Sequence, residues 1–255
     1  IVGIEVKIDM ASLKPVRGTH DLLPEAMRAH RSIIGRARDV AERYGFEEMA
    51  TPIFESSDVF RRTLGDTSDI VTKEMYTFTT KGGEEITLRP ENTAGVARCF
   101  ISEGLAQSTP LKFFYAGPMF RHERPQKGRL RQFHQIGIET VGVARPQADI
   151  EIIAAGARIL SELGLQGKTA LQLNSLGDSE SRSVYREALV TYFTKRVDEL
   201  SQESRDRLNR NPLRILDSKN EGDRSVVADA PSFTTHLNEE SRAFFEQVQE
   251  GLTAL

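Results

Sequence analysis

Apolar side chains near the start of the chain recur at the spacing that places them on one face of a helix. The positions concerned are Met27, Ile33, Ile34, Ala37, Val40 and Ala41. Pro24 suits the first turn of a helix, and Gly45 suits the stop at its C-terminal end. The pattern therefore predicts a long amphipathic helix from Pro24 to Tyr44.

Short extended segments are predicted after this helix. The run FEEMATPIF contains Pro52, which has no N–H for a ladder and keeps Thr51 out of helical space. Such a run is typical of an edge strand or an interface strand. Farther along, MYTFTT and EITLRP are joined by residues 81–83 and predict a β-hairpin, and residues 91–102 then predict a helix.

Two further β-rich runs, KFFYAGPMFRHE and RQFHQIGIETVG, are separated by the polar and basic residues 124–130. They predict an antiparallel pair of strands with a long loop. Beyond them, the pattern predicts a helix from Pro146 to Leu163, a strand near residues 171–176, and helices from there to the end.

These elements predict an α+β fold in which an antiparallel sheet is flanked by helices. After Gly177 the composition shifts toward charged helical sequence without a strand pattern. We therefore expect a sheet-bearing core at residues 10–176 and a small helical module at residues 177–255. Residues 1–9 precede Met10 and are expected to be a leader or a start-site artefact.

Composition narrows the classes of function. The formal net charge is -3, so any RNA contact has to come from a local basic cluster. Cys99 is the only cysteine, which excludes an intrachain disulfide, disfavours thiolate-based zinc chemistry and fits a reducing cytoplasm. No run of sequence approaches the ~18 apolar residues that a membrane span needs.

The alternation of side chains along a strand places residues of different chemistry on one face of the runs KFFYAGPMFRHE and RQFHQIGIETVG. Side chains two apart on a strand share a face, so Arg121 and Glu123 lie together on the first run. The same face of the second run carries Arg131, Phe133, Gln135, Gly137 and Glu139. A ligand with both phosphate and amine groups suits this mixture. A charged hairpin with cross-strand salt bridges on a solvated face suits it equally, and the pattern alone leaves both interpretations open.

Three neighbouring features also have two interpretations. The basic loop RHERPQKGRLR could meet a phosphate backbone or be a solvated turn. Glu91 and Thr93 stand where a strand turns into a helix, so they could meet a ligand amine or cap the helix. His122 and His134 fall on the face opposite Arg121 with no third ligand at metal spacing, so we expect packing or hydrogen-bonding roles and no metal site.

Several segments together resemble the histidyl-tRNA synthetases, which are class II aminoacyl-tRNA synthetases. They are KPVRGTHDLLP, TPIFESSDVFRRTLGDTSDIVTKEMYTF, TLRPENTAG, GPMFRHERPQKGRLRQFHQIGIE, LNSLGD and NPLRILDSK. The resemblance covers nearly all of residues 13–255. Residues 43–60 resemble the first motif of class II and residues 117–139 resemble its second motif.

The resemblance implies roles for individual residues. Arg121 would be catalytic, binding the α-phosphate of ATP and the substrate carboxylate. ATP would also be held by Glu123 at the adenine amine, by Phe133 stacked on the adenine and by Arg129 at the phosphates. Histidine would be held by Glu91, Thr93, Gln135 and Glu139. Arg124 and Gln126 would approach the acceptor end of the tRNA.

The resemblance also implies an activity. It predicts a cytoplasmic histidine–tRNA ligase that uses ATP with Mg²⁺, histidine and tRNA(His), and that forms a homodimer through the first motif. It further implies that this chain stops before the third motif and the anticodon-binding domain, so we expect the chain to be nearly inactive alone. The alternatives are the synthetase-like regulatory subunit of ATP phosphoribosyltransferase, and a folded dimerisation or RNA-contacting unit without activity.

Overall fold

The computed structural model describes residues 13–65 and 68–255. The expected leader at residues 1–9 lies outside the described residues. The chain divides into two compact units. The first comprises the described residues up to Val143 together with Arg158–Gly164, and the second comprises Ala144–Ala157 and Leu165–Leu255.

The predicted long helix is confirmed as α1 (Pro24–Arg43), which begins at its proline. Gly45 follows with φ +80°, a backbone conformation that glycine adopts without strain, and its N–H donates to the carbonyl of Glu42 at 2.9 Å. Ala37, Val40 and Ala41 are buried, as the apolar face requires. Nearer the start of the helix, Met27 is 39% exposed and Ile33 is 44% exposed.

The first unit contains two small sheets. The strands are β1 (Glu47–Glu48), β2 (Phe54–Ser56), β3 (Tyr76–Thr79), β4 (Glu85–Leu88), β5 (Leu111–Phe120) and β6 (Gln132–Val141). One sheet has the order β1-β5-β6, with β1 parallel to β5 and β6 antiparallel to it. The other is antiparallel, with the order β2-β4-β3. The two predicted strand pairs are confirmed, and the α+β class with them.

The segment around Pro52 differs from the single extended strand that was predicted. Strand β1 ends at Glu48, strand β2 begins at Phe54, and residues 49–53 belong to no strand. Proline cannot donate to a ladder, so the chain leaves the first sheet here before it enters the second. The predicted edge position is confirmed, because β1 and β2 each lie at the edge of their sheet.

The first unit also contains two shorter helices. They are α2 (Ser57–Leu64) and α3 (Thr93–Ser102), and α3 confirms the helix predicted for residues 91–102. Val96 of α3 packs in one buried cluster with Tyr115 and Met119 of β5, and Phe133 of β6 lies at its margin. Helix α3 therefore covers the face of the β5–β6 pair that carries the odd-numbered residues.

The second unit is helical. Helix α4 (Pro146–Glu162) contributes to both units, and it is followed by α5 (Ser179–Thr194), α6 (Gln202–Leu208), α7 (Glu221–Ala228) and α8 (Glu239–Thr253). The core of α5 to α7 is formed by Tyr185, Leu189, Phe193, Leu200, Leu208, Ile215 and Val226. None of the helices within residues 13–65 and 68–255 is long and apolar enough to cross a membrane.

The strand predicted near residues 171–176 is wrong. Residues 169–178 have no regular secondary structure, and Leu171 and Leu176 are 62% and 75% exposed. A strand exists only where a second strand pairs with its backbone. No described strand pairs with this segment, so its alternating leucines remain without a ladder.

Candidate active site

The register of β5 and β6 aligns the odd-numbered residues of the two strands. Met119 lies opposite Phe133 and Gly117 opposite Gln135. The pairing continues one step beyond the strands, where the N–H of Arg121 donates to the carbonyl of Arg131 at 2.9 Å. This confirms the predicted common face, and burial of Met119 under α3 shows that the middle of that face is not solvated.

Arg121 is anchored at one nitrogen and faces an aromatic ring. Its Nε donates to the carbonyl of Pro90 at 2.9 Å, and its guanidinium carbon lies 5.1 Å from the centroid of the Phe133 ring. Its Nη1 lies 4.0 Å from Oε1 of Glu123. With Nε occupied, the two outer nitrogens keep the paired donor geometry that suits a phosphate or a carboxylate.

Glu123 stands between two arginines. Its Oε2 accepts from Nη1 of Arg129 at 3.2 Å, and its side chain is 17% exposed, whereas that of Arg129 is 65% exposed. Glu74 lies close by, and the pKa of its carboxyl is raised by burial first and by the negative charge of Glu123 second. The salt-bridge interpretation of the sequence is thus partly realised, although on the edge of a buried face.

A second group of polar residues lies farther along the same face. The hydroxyl of Thr93 donates to Oε1 of Glu139 at 2.7 Å, and the hydroxyl of Tyr115 lies 3.4 Å from the same oxygen. Burial raises the pKa of Tyr115 to about 12, the charges of Glu139 and Glu91 act in the same direction, and a hydrogen bond with Thr93 opposes them. The phenol therefore stays protonated and can donate to a carboxylate.

Tyr115 was not among the residues that the sequence singled out. Its ring lies over Gly137, where an added Cβ would stand 2.2 Å from Cζ of Tyr115. A glycine two residues before Glu139, opposite a tyrosine on the paired strand, was the available signal. The space above this glycine is filled by a side chain of the protein and is not open to a ligand.

Glu91 caps helix α3. Its Oε2 accepts from the N–H of Thr93 at 2.6 Å and its Oε1 accepts from the N–H of Ala94 at 3.0 Å. This is the capping arrangement that the sequence offered as the alternative to ligand binding. The carboxylate is half-buried and stays near Tyr115, so its negative charge belongs to the same group of residues.

The remaining candidates, Gln135, Arg124 and Gln126, lie on the same hairpin but share no hydrogen-bond partner among the described residues. Gln135 is half-buried in β6. Arg124 and Gln126 are exposed in the loop. The backbones of Gln126 and Arg129 exchange hydrogen bonds of 3.2 and 2.9 Å, and Gly128 between them has φ +80°. The predicted long loop therefore contains a tight turn that presents Arg129 to solvent.

The glycine of the KPVRGTHD segment holds this loop in place. The carbonyl of Gly18 accepts from the N–H of Arg131 at 2.7 Å. Gly18 has φ +87°, and an added Cβ would lie 2.8 Å from Cγ of Arg131 and 2.9 Å from Cγ of Pro125. No other residue type fits both the conformation and the space.

The opposite face of the β5–β6 pair borders a separate cavity of about 520 Å³ beneath α1. His20, His30 and His134 line it, and the His30 and His134 rings meet edge to face with centroids 4.3 Å apart. Burial lowers the pKa of His134, and the nearby His30 and His20 lower it further. Among residues 13–65 and 68–255 no cluster of side chains has the composition to hold a metal ion.

Comparison with known proteins identifies the family. The histidyl-tRNA synthetase profile matches residues 18–244. The chain is 65% identical over 246 residues to the histidine–tRNA ligase of Rhodospirillum rubrum, covering 96% of this chain and 59% of that protein. It is 58% identical over 243 residues to the enzyme of the same name from Gluconacetobacter diazotrophicus, covering 95% and 59%.

A solved structure shares the fold. Apo histidyl-tRNA synthetase from S. aureus superposes with a TM-score of 0.71 at 38% identity, covering 95% of this chain and 55% of that one. The chain thus spans between one half and two thirds of the length of these three relatives. The profile match and the identities show that the chain belongs to the histidyl-tRNA synthetase family.

Proposed function

We propose that this chain forms part of the catalytic region of a histidine–tRNA ligase. The enzyme would activate histidine with ATP and transfer the histidyl group to tRNA(His). One observation carries the proposal: the β5–β6 register brings one group of residues that suits a phosphate and another that suits an amine onto the same face. The first consists of Arg121, Glu123 and Phe133, and the second is Glu139 of β6, which accepts a hydrogen bond from Thr93 at the start of α3.

The chemistry follows from the order of these groups along the face. In the first step, an oxygen of the histidine carboxylate attacks the α-phosphorus of ATP, and the bond to the leaving pyrophosphate breaks. The outer nitrogens of Arg121 would hold the α-phosphate and the incoming carboxylate together, which lowers the entropic part of the activation free energy. They would also stabilise the charge that develops on the phosphorus oxygens.

The neighbouring residues would hold the two substrates. Phe133 would stack on the adenine, Glu123 would accept from its amine, and Arg129 would swing from Glu123 to the outer phosphates. Mg²⁺ would arrive with the polyphosphate of ATP. At the other end, Glu139 and Glu91 would take the ammonium group of histidine, and Thr93 and Gln135 would contribute hydrogen bonds to the amino acid.

Further parts of the proposal concern partners and organisation. Arg124 and Gln126 are exposed on the loop and would approach the acceptor end of tRNA. A homodimer would form through the first motif, that is, through the helix that leads to Tyr44 and the segment containing Pro52, where the apolar side chains of Ile53 and Phe54 are exposed. We also propose a core at residues 10–176 and a helical insertion at residues 177–255. A core formed entirely between Tyr185 and Val226 supports this insertion. The proposed enzyme is cytoplasmic.

Calorimetric titration of the chain with histidine, and separately with ATP, tests the proposal. We expect both ligands to bind, and we expect Glu139→Ala to lose histidine while keeping ATP. Glu84→Ala is the matched control, because it removes an exposed carboxylate in the β3–β4 turn of the same unit. Failure of the parent chain to bind either ligand, or equal loss in both variants, contradicts the proposal.

The regulatory-subunit alternative predicts histidine binding without RNA binding. Curated relatives at 50–65% identity are named histidine–tRNA ligase, which favours the ligase. Binding of an acceptor-stem RNA to the chain separates the two functions. The ligase predicts binding that is weakened when Lys127 and Arg129 are both replaced by alanine, whereas unchanged affinity excludes the loop as the RNA contact.

A further inference from the structure

The segment from Arg89 to Asn92 connects β4 to α3 and belongs to no strand or helix. It nevertheless touches the end of β5 at two successive carbonyls. The carbonyl of Arg89 accepts from the N–H of Phe120 at 3.0 Å, and the carbonyl of Pro90 accepts from Nε of Arg121 at 2.9 Å. The direction of the Arg121 side chain therefore depends on where this segment is held.

The side chain of Arg89 holds the segment. It is 6% exposed, and its Nε donates to the carbonyl of Pro118 in β5 at 2.9 Å. Its Nη1 donates to the carbonyl of Thr51 at 2.9 Å and reaches Oδ1 of Asn92 at 3.2 Å. The hydroxyl of Thr51 also donates to Asn92 at 2.6 Å. One guanidinium thus joins the link after β1, the start of α3 and strand β5.

The environment of Arg89 is unusual for a residue that only stabilises a fold. Each oxygen that it contacts among the described residues is a neutral carbonyl, hydroxyl or amide oxygen. Burial lowers the pKa of its guanidinium, although Tyr115 and Glu55 act in the opposite direction. A buried charge without an ionised partner costs free energy that an apolar side chain of the same size would not.

Gly117 of β5 is fitted to this arginine. An added Cβ at Gly117 would lie 2.3 Å from Nη2 of Arg89, so the guanidinium occupies the space that any other residue would fill. A glycine inside a strand usually weakens it, and here it admits a side chain from another segment. Gly117 and Arg89 therefore form a matched pair, which places the fork of the guanidinium against β5.

We propose that Arg89 is a positioning residue for Arg121. Its guanidinium fixes the Arg89–Pro90 segment against β5, and the carbonyl of Pro90 then fixes Nε of Arg121 so that the two outer nitrogens face the site. The chemical role of Arg121 toward a phosphate rests on the proposed function. Its positioning by Arg89 does not, and it can be measured without substrate.

The test follows the Nε–H signal of Arg121 in ¹⁵N nuclear magnetic resonance spectra of the chain, assigned by its disappearance in Arg121→Lys. In Arg89→Lys, which keeps the charge and loses the fork, we expect this proton to exchange with solvent about tenfold faster or more. Arg98→Lys is the matched control, because Arg98 is partly buried and its guanidinium pairs with Glu55 and Ser102, with no hydrogen bond to Pro90 or Arg121 among the described residues. Its Arg121 signal should stay as in the parent chain.

Gly117→Ala gives a second route if Arg89→Lys does not fold, since it displaces the guanidinium without removing it. We expect the same faster exchange at Arg121. An Arg121 signal unchanged in folded Arg89→Lys or Gly117→Ala overturns the proposal, and so does an equal change in Arg98→Lys. ATP titration of the parent chain separates the two ideas: absence of ATP binding contradicts the proposed function and leaves the exchange result to decide the positioning.

Discussion

Asp223 in α7 gives a prediction whose magnitude follows from the structure. It is fully buried, and its carboxylate accepts from the N–H of Ser201 at 2.7 Å and from the hydroxyl of Ser201 at 2.8 Å. The hydroxyls of Ser204 and Ser218 each donate to it at 2.6 Å. Burial alone would raise the pKa of this carboxyl, but together these donors outweigh burial and lower the pKa to about 2.

The lowered pKa links the stability of the second unit to pH. The unfolded value is 3.8, so between this value and about 2 the unfolded chain binds the proton more readily than the folded chain. The stabilisation is therefore complete above about pH 4 and is lost as pH falls through about 2. A difference of this size corresponds to about 2 kcal/mol at neutral pH.

The substitution Asp223→Asn resembles the protonated acid and removes this contribution. Urea unfolding followed by circular dichroism should show a loss of about 2 kcal/mol near pH 7 that shrinks toward zero near pH 2. Asp229→Asn, at the exposed end of the same helix, is the control and should stay within about 0.5 kcal/mol of the parent chain. A difference at Asp223 that persists unchanged to pH 2 refutes the reasoning.

Three further outcomes are expected in the first unit. Gly137→Ala should displace Tyr115 and weaken histidine binding about tenfold or more by calorimetry, whereas Gly35→Ala, where nothing lies within 4 Å of the added Cβ, should not; equal affinities contradict the packing argument. Arg129→Ala should weaken ATP binding without lowering the thermal midpoint, because an exposed ion pair stabilises little; a lowered midpoint contradicts this. The pKa of His134 is lowered from 6.5, so the chain should gain stability as pH rises toward 6.5 and gain no more above it. Denaturation between pH 5 and 8 should show that His134→Gln removes this dependence, and an unaltered dependence assigns it elsewhere.

The β5–β6 hairpin shows what a sequence can predict without a structure. Side chains two apart on a strand share a face whatever surrounds the strand, so the grouping of Arg121 with Glu123 needs only local geometry. Pairing in odd register was the single non-local assumption, and the opposition of Met119 and Phe133 confirms it. Helix α1 was predictable for the same reason, because the spacing of its apolar residues and the residues at both of its ends are local features of the sequence.

Contacts between distant segments could not be predicted in this way. The strand expected near residues 171–176 has the right alternation, but alternation says nothing about whether a second strand is present to pair with it. The sequence showed that Pro52 cannot donate to a ladder, but it predicted a single extended strand through this position, and the change from one sheet to the other depended on where β4 lies. Nothing in the run EITLRP singled out Arg89, and only the fold places its Nε 2.9 Å from the carbonyl oxygen of Pro118.

Two glycines of the hairpin show most clearly how the site is made. Gly117 and Gly137 lie on the same face as the candidate ligand-binding residues, and the absence of a side chain at each leaves space above the backbone. The structure fills both spaces with protein: Arg89 lies against Gly117, and Tyr115 lies over Gly137. Each of these side chains then reaches a functional candidate, Arg89 through Pro90 to Arg121 and Tyr115 directly to Glu139. The glycines therefore leave room for the side chains that position Arg121 and Glu139. Replacing either glycine should alter ligand binding without removing any group that touches the ligand.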